Sequence, residues 1–92
     1  YCGRILEKTN RENLFSHARH PYSAGLLACV PRISSGPAIA IRSIPGQVPS
    51  AFELPTGCHF APRCERAEEA CHQSAPALDS ESSSSVACFR PL

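Results

Sequence analysis

The 92-residue chain has no Trp, no Met and few aromatics, two Tyr and four Phe. Its hydrophobic fraction is 42%, but much of it is Ala and Cys, so few large side chains remain to fill an interior. A chain this short buries only about 60–65% of its unfolded surface, and a thin core is expected. Charge is scarce too. With 18% charged residues and a formal net charge of +1 there is no basic field for nucleic acid. No apolar run approaches the roughly 18–20 residues of a membrane-spanning helix, so no direct membrane span is expected. The first residues lack the basic-then-apolar pattern of a secretory leader. With no initiator Met, the chain reads as a processed or excised piece. The 5 glycines form no G-x-x-x-x-G-K-[ST] phosphate loop. No Ser/His/Asp order and no isolated carboxylate pair points to catalysis, and no internal repeat is visible.

What the chain does have is 9 Pro, 12 Ser and 6 Cys. Tyr1–Glu7 reads as a short strand with Ile5 and Leu6 buried on opposite sides. Thr9 and Glu12 make a capping-box pattern, with Asn10 a rival cap, for a short helix through Leu14 and Phe15 that ends near His17. Such a helix needs Leu14 and Phe15 to dock. His20-Pro21 opens a second helix, Pro21 standing where its missing N–H costs nothing. Tyr22, Leu26, Leu27 and Val30 fall at helical spacing, Gly25 weakens the middle, and Pro31 stops the helix. A Ser/Gly/Pro loop over Arg32–Pro37 leads to a strand over Ile39–Ile44, and Pro45-Gly46 is a turn. Pro49 and Pro55 keep the next stretch irregular. Ser80–Ser85 is a polar, mobile loop, and Val86–Phe89 a last extended piece. The fold class is α+β: a small irregular domain of few short elements and Pro-rich loops, with a cysteine- or metal-stapled C-terminal half.

Four cysteines, Cys58, Cys64, Cys71 and Cys88, fall in the C-terminal segment, while Cys2 and Cys29 lie upstream in apolar surroundings. A straight helix from Cys64 to Cys71 would separate their backbones by roughly 10 Å, beyond disulfide reach and awkward for one zinc ion. A four-cornered cluster tolerates more. Alternatively Cys64 sits in the loop before a helix in which Glu65, Glu68 and Glu69 come early and Cys71 ends the helix. Three readings stay open: a disulfide framework, a structural zinc site with His59 and His72 as spare ligands, and an iron–sulfur cluster. His17 and His20 could be ligands or bases, but read more simply as a solvated residue and a cap-adjacent structural one.

Several runs resemble one family. His20-Pro21-Tyr22-Ser23-Ala24-Gly25-Leu26-Leu27-Ala28-Cys29-Val30-Pro31 and Ile44-Pro45-Gly46-Gln47-Val48-Pro49-Ser50 are similar to motifs in the ATP-binding subunits of oligopeptide/dipeptide ABC transporters. So are Leu54–Cys64, the most specific run, then Cys71 and Val86–Pro91. Tyr1–Glu7 resembles the strand just after the catalytic core of those ATPases. Asn10 and Arg11 depart from the Pro-Thr that commonly opens the first helix there, and Gly25 and the Ser82–Ser85 run also differ. None of these touches the cysteine frame.

The resemblance implies a C-terminal accessory or regulatory domain of a peptide importer's ATP-binding subunit. It implies a [4Fe–4S] cluster on Cys58, Cys64, Cys71 and Cys88, with zinc as the alternative cofactor, and leaves Cys2 and Cys29 out as ligands. It divides the chain into the tail of the ATPase-core region (1–31, a strand and two short helices), a linker and strand (32–50) and a four-cysteine cluster-binding module (51–92). The ATP-binding motifs lie upstream in such proteins, so ATP belongs to the full-length parent and this chain is no enzyme by itself. The implied partners are the parent's nucleotide-binding core, a second ATPase subunit and membrane permease subunits. The implied location is peripheral, on the cytoplasmic face of the inner membrane. The alternatives are a zinc-stapled interaction domain and a disulfide-rich secreted module.

Overall fold

The computed structural model describes residues 1–31 and 42–92. The expected loop over 32–37 and most of the strand over 39–44 lie outside the described residues; Arg42, Ser43 and Ile44 are irregular.

The strand expected over Tyr1–Glu7 is not formed. Cys2 and Gly3 both take positive φ, 47° and 76°, and Arg4 N–H donates to the Tyr1 carbonyl at 3.0 Å. Two consecutive left-handed residues make a turn, not an extended run. Leu6 is buried but Ile5 is 67% exposed, so only one of that pair reaches the core. Strand β1 is just Glu7–Lys8. It pairs antiparallel with β2, Ser85–Val86, Glu7 opposite Val86 and Lys8 opposite Ser85. Ala87 N–H extends this contact to the Leu6 carbonyl at 2.8 Å. The serine run before β2 is folded back on Asp79, whose Oδ1 accepts from Glu81 and Ser82 N–H at 3.1 and 3.3 Å. Its last member, Ser85, is buried.

Helix α1 spans Arg11–His17, and Asn10, not Thr9, caps it: Asn10 Oδ1 accepts from Asn13 N–H at 2.8 Å. The Thr9 hydroxyl is taken by Ser84 Oγ instead. Leu14 is half-buried and Phe15 is 66% exposed, so the expected docking of both is only half realised. Helix α2 spans Pro21–Cys29 with Pro21 in its first turn and His20 as cap, Nδ1 accepting from Tyr22 N–H at 3.0 Å. Its apolar residues do not form one buried stripe. Leu26 and Val30 are 47% and 58% exposed, because the helix carries no charged residue and its apolar side chains point all round. A 3₁₀ turn at Ala61–Arg63 precedes Cys64, and α3 is Glu69–Gln73. The helix thus starts four residues later than expected, and Cys71 sits mid-helix, not at its end.

These three helices and one two-stranded sheet, among the described residues, make an α+β arrangement. The core is small, as the composition requires: Leu6, Phe60, Ala61, Cys58 and Cys71, with Tyr1, Tyr22 and Ile44 against it. Tyr1, Tyr22 and Phe60 form a three-ring cluster with centroids 4.8–5.4 Å apart, each such pair adding about 0.5–1.5 kcal/mol beyond simple burial. Arg63 straps the 44–45 segment to it, donating to the Ile44 and Pro45 carbonyls at 2.8 and 2.9 Å and to the Tyr1 hydroxyl at 3.3 Å.

Candidate metal centre

Four separate stretches deliver the C-terminal cysteines to one place. Cys58 follows Gly57, and its N–H donates to the Cys71 carbonyl at 2.8 Å, drawing the 57–58 backbone onto α3. A side chain at Gly57 would press on that Cys71 carbonyl and stand 2.7 Å from the His72 carbonyl carbon, so the close approach requires glycine. The next turn then forms, Ala61 N–H donating to the Cys58 carbonyl at 3.0 Å. It hands the chain to Cys64, whose N–H donates to the Ala61 carbonyl at 3.1 Å. Cys88 arrives from β2 just after the Ala87–Leu6 contact.

Cys58, Cys64, Cys71 and Cys88 all line one small cavity, walled on other sides by His20 and Phe60. Cys58 and Cys71 are buried, and Cys64 and Cys88 half-buried. All six cysteines are free thiols. Cys2 and Cys29 stand apart from the cavity, Cys29 Sγ lying 3.1 Å from the Gly25 carbonyl.

The electrostatics fit thiols gathered in one place. Burial pushes Cys64 up, and negative charge on Cys58 and Cys71 would push it further; the Arg66 backbone N–H and guanidinium oppose this. Burial likewise raises Cys88, with the other three sulfurs adding to the effect and the Arg90 backbone N–H opposing it. Each thiolate makes the next costlier, a balance that a bound cation reverses. Arg66 and Arg90 both line the cavity and supply positive charge at its edge. Arg90 also pairs with Glu68 at 2.6 Å across an exposed surface, tying the C-terminal tail to the α3 side.

Thiols are soft donors of the kind that thiophilic metals take. As placed, no three His, Cys, Asp or Glu side chains among the described residues close on a single ion. The geometry of the described residues therefore does not by itself support the metal-stapled C-terminal half expected from the sequence, whether by a [4Fe–4S] cluster or by zinc. The spare zinc ligands considered from sequence are not at hand: His72 is exposed, and the buried His59 lines a different cavity, with Arg4 and Leu78.

Sequence reading missed two participants. Gly57 passed unnoticed because only the approach of α3 reveals its role. His20 read as a cap-adjacent structural residue; it is indeed the α2 cap, but it is also 1% exposed and in the cavity wall. Burial lowers its pKa, and the Glu7 carboxylate pulls the other way without cancelling it. The His20-Pro21 pair signalled the cap, and nothing in the local sequence signalled the wall.

Comparison with known proteins places residues 6–71 in the family described as the C-terminal region of oligopeptide/dipeptide transporters. A Brucella ovis protein named for peptide import and ATP binding is 45% identical over 85 residues, 87% of this chain and 25% of its own length. The oligopeptide transport ATP-binding protein OppD of Salmonella typhimurium is 43% identical over 93 residues, covering 100% of this chain and 27% of its own. AppD of Bacillus subtilis, another oligopeptide transport ATP-binding protein, is 40% identical over 90 residues, 97% of this chain and 27% of its own. The chain thus spans about a quarter of the length of these relatives.

Proposed function

Because the chain belongs to the family of oligopeptide/dipeptide transporter C-terminal regions, we propose that it is the C-terminal accessory domain of a peptide ABC importer's ATP-binding subunit. We propose further that its residues 51–92 hold a [4Fe–4S] cluster on Cys58, Cys64, Cys71 and Cys88. The observation carrying the cluster reading is that these four thiols, spread over 31 positions of sequence, line one cavity. Residues 1–31 are the tail of the ATPase core and 32–50 the link between the two.

When bound, the cluster supplies four iron–thiolate bonds that cross-link segments otherwise joined by few contacts. The chain's own residues do the rest. Gly57 lets Cys58 approach α3, the 3₁₀ turn presents Cys64, the β1–β2 pair delivers Cys88, and Arg66 and Arg90 offset the negative charge of four thiolates. The family relationship supports a role in coupling or stabilising ATP-driven closure between this subunit and a second one, with the signal passing to membrane permease subunits. The location is peripheral, at the cytoplasmic face of the inner membrane. ATP is bound and hydrolysed by the parent and not by these 92 residues. Among the described residues no helix is long and apolar enough to cross a membrane.

Anaerobic purification followed by iron, sulfide and zinc analysis and a visible spectrum tests the reading. About four iron and four sulfide per chain and a brown protein are expected. A colourless protein with one zinc would replace the cluster with the zinc alternative. ATP turnover by the purified chain would overturn the assignment of catalysis to the parent.

A further inference from the structure

His20 combines three properties that no other residue described here shares. It is the most deeply buried large side chain, at 1% exposure. It lines the cavity shared by Cys58, Cys64, Cys71 and Cys88. And its Nε2 has no hydrogen-bond partner among the described residues. The other ring nitrogen is spoken for: Nδ1 accepts from Tyr22 N–H at 3.0 Å. A neutral imidazole has one donor and one acceptor nitrogen, so with Nδ1 accepting, the proton belongs on Nε2.

The ring is also held in place. Its own backbone N–H donates to Glu7 Oε2 at 3.1 Å, and its face is set by Phe60, edge-on at 5.9 Å. The Ala87 backbone is near enough to influence the ring but does not reach hydrogen-bond geometry with Nε2. A buried N–H donor without a well-placed acceptor is costly, and besides the Ala87 carbonyl the surroundings of the ring offer the sulfurs of the four cysteines that line the same cavity. The sulfur of a neutral thiol is a weak acceptor, and a metal-bound thiolate, which keeps negative charge, is a better one.

We infer that His20 is a positioning residue for the four-cysteine centre, donating its Nε2–H to one of the ligating sulfurs and so raising the centre's reduction potential. The inference rests on the four-thiolate reading above. The physical reason is that an N–H aimed at sulfur stabilises the more negative, reduced form.

Two substitutions separate this role from the cap. His20→Asn keeps an oxygen to accept from Tyr22 N–H, Asn being among the best caps, but has no N–H at the Nε2 position. His20→Gln places an amide N–H near that position. The anaerobically purified holo chain and both variants are assayed for iron and sulfide, then titrated potentiometrically with the visible and EPR signals as readout. Expected is full iron in His20→Asn, with its reduction equilibrium shifted about tenfold toward the oxidised form, a fall of about 59 mV for one electron. In His20→Gln at least half of that shift should be recovered. An unchanged potential in iron-replete His20→Asn overturns the inference. So does an equal fall in both variants, which would assign the effect to cavity shape, or loss of iron from both, which would assign His20 to folding alone. A wild-type chain without iron and sulfide sinks the four-thiolate reading itself, a result distinct from the other three.

Discussion

Glu7 shows how much of this small protein hangs on single side chains. Its two carboxylate oxygens accept from Arg19 and His20 N–H at 2.8 and 3.1 Å, fastening β1 to the start of α2. Burial, the largest single influence, pushes its pKa up. The Ser23 side chain, the Arg19 and His20 N–H groups and the His20 charge together outweigh burial and leave it below 4.5. A carboxyl lowered in the folded state binds fewer protons than in the unfolded state. Its stabilisation is therefore complete above 4.5 and is lost as pH falls through the folded value. Glu7→Gln should cost about 1 kcal/mol at pH 7, less than is usual for hydrogen bonds to a charged group because the carboxylate is largely solvated. Urea unfolding of wild type and variant at about pH 7 and about pH 3 checks this: the gap should narrow in acid. A gap that stays constant would mean that the charge of Glu7 contributes nothing.

At the scale of elements, start signals were legible and lengths were not. His20-Pro21 marks α2 because cap and fixed φ are local properties of those two residues. Asn10 beats Thr9 by a choice one residue wide, which β1 decides by leaving Thr9 to Ser84. The strand read into Tyr1–Glu7 fails because Cys2, a residue that rarely takes positive φ, joins Gly3 in a turn. The stripe read into α2 fails because a helix apolar on every side has no face for periodicity to identify. The contact between Gly57 and α3 is an element-scale feature that sequence does not announce. Gly57→Ala should destabilise the chain by about 1–3 kcal/mol, because backbone cannot move aside as a flexible side chain can. Under the proposed cluster reading it should also lower iron content, since it pries Cys58 from Cys71. Thermal melts with parallel iron analysis check both; a fully iron-loaded, wild-type-stable Ala variant would contradict the packing argument.

For the whole molecule, the question is what a core of so few large side chains leaves to other forces. Two of its five central residues are Cys58 and Cys71, and the strand pairing that closes the two ends of the chain on each other is two residues long on each side. Were the proposed cluster held by these thiols, metal binding and folding would be linked. Cys64→Ser should therefore lose metal and much of the folded state, while Cys29→Ser, which stands outside the cavity, should keep its metal. Metal content and far-UV dichroism of the two variants under anaerobic conditions check this. Equal losses in both would disprove the ligand set.

The amino-acid sequence by itself determined the family, the α+β class, the thinness of the core and the existence of a four-cysteine group distinct from Cys2 and Cys29, because composition, spacing and motif order are properties of the chain alone. Tertiary structure decided what those cysteines face. Cys64 and Cys88 are separated by 24 positions, and only the 3₁₀ turn and the β1–β2 pairing bring them to one cavity. It also decided that His20, legible as a cap, closes the wall of that cavity. The reason is that a cap is satisfied by neighbours two residues away, while burial and an unpaired Nε2 depend on segments, Phe60 and Ala87 among them, that sequence distance keeps far apart.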